Sequence, residues 1–183
     1  MAQFHPIQHG TFLITTNAKD RQPWCLFKNT PVILINTLVI AKRIQKAKVY
    51  AFCILPDHMH IVLSPGERGL SAFMKSFKEN SSREIRRYRK HCINEFGIVS
   101  ADVDVGADNA TNIPPHADAV VGASQSGINL FHGWQHGFDS RGIGTDAGMN
   151  SAINYVESNA ARHRLVRHSI DWPWTSLHFP HLL

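Results

Sequence analysis

His58 and His60 flank Met59 in the run Leu55-Pro56-Asp57-His58-Met59-His60-Ile61-Val62-Leu63, which reads as a strand after a Pro-Asp break. Side chains on a strand alternate faces, so His58, His60 and Val62 project one way and Met59, Ile61 and Leu63 the other. The apolar set can bury against helices. The other face then presents two imidazoles together, which is how a sheet supplies half of a metal site. With 12 histidines in 183 residues, such a pair needs neighbours before it carries a function.

A second group lies towards the C-terminus. Tyr155 and Asn159 are four residues apart in a segment of helical periodicity, and Arg162 follows one step further along. This face is offset from the apolar stripe of Met149, Ile153, Val156 and Ala160. A nucleophilic phenol, an amide oxygen able to ligate a hard cation and a guanidinium would project together. Beside two histidines they would make a mixed N/O site of the kind suited to Mg²⁺ or Mn²⁺. Periodicity alone favours a plainer reading, with Tyr155 packed at the sheet surface and Asn159 ending a helix.

The elements that would position these groups can be read along the chain. Residues 11–16 form a first strand, followed by a polar turn over 17–22. Pro31 after Asn29-Thr30 marks a helix start, and the helix runs to about Lys46, burying Ile33, Ile40 and Ile44. Lys48 to Leu55 is a second strand, and the histidine strand follows the Pro56-Asp57 break. Leu70, Phe73, Met74 and Phe77 open an amphipathic helix extending to about His91. Residues 131–138 read as a further strand or extended segment, 141–148 as a Gly-rich loop, and the stripe from Met149 as a third helix. The tail Asp171-Trp172-Pro173-Trp174 packs its indoles on the domain. This order suits a single α+β domain over 1–183, ferredoxin-like, with a mainly antiparallel sheet and helices on one face. The other face, with both histidines, would be open to a substrate or partner. Residues 97–129, rich in Ala, Asp, Val, Gly, Ser and Asn and lacking Lys and Arg, read as a flexible insertion.

Composition narrows the partners. The net charge is +5 and the pI about 9.3, which points to a polyanion, nucleic acid first, or else to a basic enzyme without one. The helix after residue 70 concentrates this charge in Lys75, Lys78, Arg83, Arg86, Arg87, Arg89 and Lys90. These make either a solvated helix face or a phosphate-contacting one. His163 and His168, near further basic residues, read as touching phosphate or solvent. Cys25, Cys53 and Cys92 are odd in number and widely spaced, so a reducing compartment is expected and no disulfide framework. No secretory signal or membrane span is read, and the expected location is cytoplasmic.

Several segments together resemble the REP-associated tyrosine transposases, single-tyrosine HUH transposases of bacteria. Ala51 to Leu63 looks like their HUH motif (His, bulky apolar residue, His), and Leu70 to Lys78 like the helix that follows. Trp134-Gln135-His136-Gly137-Phe138 resembles a short Trp-Gln segment, and Tyr155-Val156-Glu157-Ser158-Asn159 the nucleophile helix. Arg162, Leu165-Val166 and Asp171-Trp172-Pro173-Trp174 match as well. The chain departs from the pattern at Asn159-Ala160, where many members have Asn-Pro, at Arg164, where they have Gly, and at Asp139-Ser140, where a histidine often stands.

The resemblance implies an HUH transposase fold, with Tyr155 as the nucleophile and His58, His60 and Asn159 as ligands of a divalent metal, Mg²⁺ or Mn²⁺. It also implies cleavage and strand transfer of single-stranded or hairpin DNA through a 5′-phosphotyrosine, in the bacterial cytoplasm in association with the nucleoid, with a homodimer left open. Arg162 and the basic helix would contact the DNA. A bound cation polarises a phosphate, and a covalent intermediate conserves the phosphodiester energy for rejoining. Two other readings predict different behaviour. A domesticated relative would bind structured repeats without turnover, and an HxH metal phosphodiesterase would be indifferent to Tyr155.

Overall fold

The computed structural model describes residues 7–96 and 131–183. Strands β1 (Thr11–Asn17), β2 (Lys48–Ile54), β3 (His58–Ser64) and β4 (Asp139–Ile143) form one sheet in the order β2-β3-β1-β4. Every neighbouring pair is antiparallel. Helix α1 (Thr30–Gln45) joins β1 to β2, and α2 (Gly69–Phe96) follows β3. After β4 come α3 (Asp146–Glu157) and the single turn α4 (Asn159–Arg162). This is the expected α+β, ferredoxin-like arrangement, with β1 and β3 central. The expected insertion at 97–129 lies outside the described residues.

Alternation decides which way the central strands face. Phe12, Ile14, Met59, Ile61 and Leu63 join Leu34 and Leu38 of α1 and Leu70, Phe73 and Phe77 of α2 in the larger core. The opposite face carries Ala51, Cys53 and Val62, which would be left wet on an open sheet. Ala152 and Val156 of α3, Ala160 of α4 and Trp172 cover them as a second core. The histidine face is therefore not the open surface expected. The tail completes that cover: Trp172 Nε1 donates to the Ile54 carbonyl at 2.9 Å, and Ile54 N–H donates to Trp174 O at 2.9 Å.

Helix α1 begins at Thr30 with Pro31 in its first turn, as expected, but buries a different face. Leu34, Ile35, Leu38 and Ala41 are inside, whereas Ile40 and Ile44 are 54% and 70% exposed. Apolar residues surround this helix, so periodicity could not select the buried stripe. The helix stops at Lys46, whose φ of +53° lets Ala47 N–H reach Lys42 O at 3.0 Å. Gly66 seals this end, since a Cβ there would lie 1.6 Å from Gln45 O.

The segment 131–138 is not a strand. Gly133 and Gly137 have φ of +82° and +75°, which breaks the extended path, and only Trp134 makes an isolated bridge, to Ala18. The strand lies later and takes in Arg141 to Ile143, read as loop. It is a sheet edge held by main-chain bonds to β1, so no apolar alternation marks it. Trp134 docks through its Nε1–H on Ser81 Oγ (2.9 Å) and edge-on to Trp24 at 4.8 Å between centroids.

Candidate active site

The register of the two central strands builds the histidine pair. Asn17 lies opposite His58 and Thr15 opposite His60. His60 Nδ1 is 2.9 Å from Thr15 Oγ1, and His58 Nδ1 is 2.6 Å from Asp57 Oδ1. Nε2 of each ring makes no hydrogen bond with a described residue. The rings stand edge to face with centroids 4.9 Å apart and are only 6% and 4% exposed.

Burial sets their charge. Desolvation, with the charges of His58, His163 and Arg21 adding to it, pushes His60 down to about 3. Desolvation also lowers His58, although the Asp57 hydrogen bond and charge oppose it. Both rings are neutral at pH 7, the form in which an imidazole nitrogen can ligate a metal.

Tyr155 comes to this pair from the other end of the chain. Val156 and Ala152 anchor α3 over β2 and β3, and the Tyr155 ring then meets His60 edge-on at 5.4 Å between centroids. The Arg162 guanidinium lies over the same phenol ring, 5.3 Å from its centroid. The juxtaposition occurs within one chain. The expected single helix is broken at Ser158, and Asn159 opens α4. Asn159 is 1% exposed, and its buried Oδ1 has no hydrogen-bond partner. It sits in sequence between Tyr155 and His163, whose rings touch His60 and His58 respectively.

Helix α4 ends in a Schellman turn that takes in the departure at residue 164. Arg164 N–H donates to Ala161 O and Leu165 N–H to Ala160 O, at 2.9 and 3.0 Å, around an Arg164 with φ of +59°. The turn needs a left-handed residue, which is why glycine suits this position.

The basic residues are placed apart from this site. Helix α2 packs on the larger core, so Lys75, Arg83, Arg86, Arg87 and Lys90 are exposed beyond the opposite face of the sheet. Lys78 is not a free cation: its ammonium donates to the carbonyls of Gln135 and Gly137, tying the Trp134 segment to α2. Arg87 is paired with Glu84 at 3.2 Å. Arg86, Arg89 and Lys90 line an open pocket with Phe131, where Arg89 Nη1 is buried without a partner. A path leads from there to the histidines. Lys19 N–H binds Gly133 O, His132 lies 3.4 Å from Asp20, and Arg21 lies 3.4 Å from Asp57.

Four residues at the site have no place in it on sequence grounds. The pattern marks Asp57 as a turn residue and His163 as one touching phosphate or solvent, and it gives Thr15 and Arg21 no role. Strand pairing could have found Thr15; no pattern in the sequence signals Arg21. Among the described residues, no group of three or more His, Cys, Asp or Glu is arranged to hold a metal. The groups present whose chemistry would suit a cation are the neutral imidazoles of His58 and His60 and the buried amide oxygen of Asn159, which lacks a partner. Such an oxygen is costly to leave bare, and a cation is one partner that would satisfy it.

Residues 14–98, which carry both histidines, match the family model described as transposase IS200-like. Among solved structures, a REP-associated tyrosine transposase bound to a REP hairpin shares the fold. It has a TM-score of 0.65 and 17% identity, over 97% of this chain and 84% of that one. The fold expected from the sequence therefore holds. A candidate transposase from Deinococcus radiodurans R1 aligns at TM-score 0.46 and 14% identity, over 86% of this chain and 97% of that one, too loosely to bear on the fold. No curated protein matches the chain. No helix among the described residues is long and apolar enough to cross a membrane.

Proposed function

We propose that this chain cleaves and rejoins single-stranded DNA, with Tyr155 as nucleophile and a divalent cation held by His58, His60 and Asn159. The observation that carries the reading is the Tyr155 ring against His60, four residues before Asn159, whose buried side-chain oxygen has no partner. The family match and the shared fold support a transposase-like, DNA-processing role.

In the first step Tyr155 Oη bonds to the scissile phosphorus and gives up its proton. The P–O3′ bond breaks, and the departing oxygen takes a proton to become a 3′-hydroxyl. A 5′-phosphotyrosine remains, and attack on it by another 3′-hydroxyl reverses the step and completes strand transfer. Mg²⁺ or Mn²⁺, when bound, supplies Lewis-acid stabilisation of the phosphate oxygens. Arg162, over the phenol ring, adds positive charge where the phosphate must lie.

The structural relative carries a REP hairpin, and hairpin DNA is the proposed substrate here. Arg86, Arg89 and Lys90 would grip its backbone, with Lys75, Arg83 and Arg87 contributing at longer range. Lys78 acts indirectly, by holding the Trp134 segment. The test incubates the protein with an end-labelled single-stranded hairpin oligonucleotide and Mg²⁺ or Mn²⁺. A covalent adduct that disappears in Tyr155→Phe is expected; an adduct that survives the substitution refutes the assignment. Hairpin binding without cleavage in either metal would instead select the non-catalytic reading.

A further inference from the structure

The two histidines are held by chemically different partners. Thr15 Oγ1 beside His60 is a hydroxyl, able to donate or to accept. Asp57 beside His58 is a carboxylate, which only accepts, and its 2.6 Å contact is short, as hydrogen bonds to an ionised acceptor are relative to neutral ones.

Asp57 is itself fixed from several sides. Its backbone oxygen accepts from Ala18 N–H at 2.7 Å, and the preceding Pro56 oxygen accepts from Cys25 N–H at 3.0 Å. Its second carboxylate oxygen lies 3.4 Å from the Arg21 guanidinium, which also donates to Asn17 Oδ1 at 2.8 Å. Asp20 and Arg21 reach this place with φ of +56° and +54°, so two consecutive non-glycine residues adopt the left-handed region beside the carboxylate.

We infer that Asp57 is a positioning residue: it accepts the Nδ1 proton of His58, fixes that tautomer and leaves Nε2 as the lone-pair donor of the ring. An imidazole ligates only through its unprotonated nitrogen, and a carboxylate on the other nitrogen both selects the tautomer and raises the donor strength. The inference deepens the proposed function, since the ligand that Asp57 prepares is one of the three assigned to the divalent cation. Arg21 is the outer hold on the same carboxylate. The arrangement also divides the pair, because the Thr15 hydroxyl, able to donate or to accept, does not select the tautomer of His60 in the same way.

The experiment has two readouts, neither of which uses DNA. Imidazole ¹⁵N NMR on the metal-free protein reports the His58 tautomer, and Mn²⁺ titration followed by EPR reports affinity. In the unsubstituted chain His58 is expected as the Nδ1–H form. Asp57→Ala should shift it towards the Nε2–H form and weaken Mn²⁺ binding roughly 10–100-fold. Asp57→Asn, whose amide oxygen can still accept, should recover part of both. An unchanged His58 tautomer in a folded Asp57→Ala protein overturns the inference, as does Mn²⁺ affinity within threefold of the unsubstituted chain. If the unsubstituted chain takes up no Mn²⁺ while the tautomer still depends on Asp57, the metal reading falls and the positioning of His58 by Asp57 stands.

Discussion

Tyr155 and His60 meet edge to face, 5.4 Å between ring centroids, although one sits on a helix after the last strand and the other in the middle of the sheet. Nothing local in the sequence brings them together. Val156, the neighbour of Tyr155, is wholly buried against the strand face that carries His60, so hydrophobic packing of α3 places the phenol.

Burial of the histidines makes stability depend on pH. Above about 6.5 His60 is neutral both folded and unfolded, and its contribution is fully present. As the pH falls from there towards the folded value of about 3, the unfolded chain takes up a proton that the folded chain refuses, and stability is lost. The slope from this residue approaches about 1.4 kcal/mol per pH unit. Urea unfolding of the unsubstituted and His60→Gln proteins at several values between pH 7 and pH 4 should show the shallower slope in the variant. Identical slopes would count against the burial argument.

Arg164→Gly should stabilise the protein by about 1 kcal/mol, because glycine occupies a φ of +59° without the Cβ clash that arginine suffers. Arg164→Ala keeps the clash and should give no gain. Chemical denaturation midpoints separate the two, and an unstabilised Arg164→Gly would show that the side chain makes a compensating contact.

Gly66→Ala should be disruptive despite its small size. The added Cβ would fall 1.6 Å from the Gln45 carbonyl oxygen, an atom that cannot move without shifting the end of α1. A loss of at least about 2 kcal/mol is expected, read as a lowered Tm. A neutral substitution would mean that the approach of this turn to α1 is loose.

The cations of α2 should divide into two kinds. Arg86→Ala or Lys90→Ala should weaken single-stranded DNA binding and flatten the plot of log Kd against log salt by about 0.7 for each phosphate no longer neutralised. Lys78→Met should instead lower thermal stability, since its ammonium secures the Gln135 and Gly137 carbonyls. Equal salt slopes in all three variants and the unsubstituted chain would remove α2 from the DNA interface.

The histidine strand, the helix starting at Thr30 and the order of elements were legible because alternation, a proline at a helix start and the Pro56-Asp57 break are local signals. The buried face of α1 was not, because Ile40 and Ile44, which are exposed, are as apolar as the residues that are actually inside. Strand β4 was hidden for a related reason: an edge strand satisfied by main-chain bonds has no need of an apolar pattern, and Asp139-Ser140-Arg141-Gly142 shows none. At the site, motif residues could be named individually, but the carboxylate and hydroxyl that hold the two rings depend on strand register and loop closure. The separation of the basic helix from the histidines also lay beyond reach, since charge counts carry no information about sheet faces.

That separation has a consequence for how a substrate would be measured. The sheet stands as a partition, with the cationic end of α2 on one side and the phenol on the other, and among the described residues contacts past 18–21 and 131–133 connect the two around the rim. A strand held at both places must follow that contour, so the rim fixes how many nucleotides lie between the gripped element and the cut. The protein would then work as a calliper, choosing its scissile step by distance from a secured structure and not by the bases at the break.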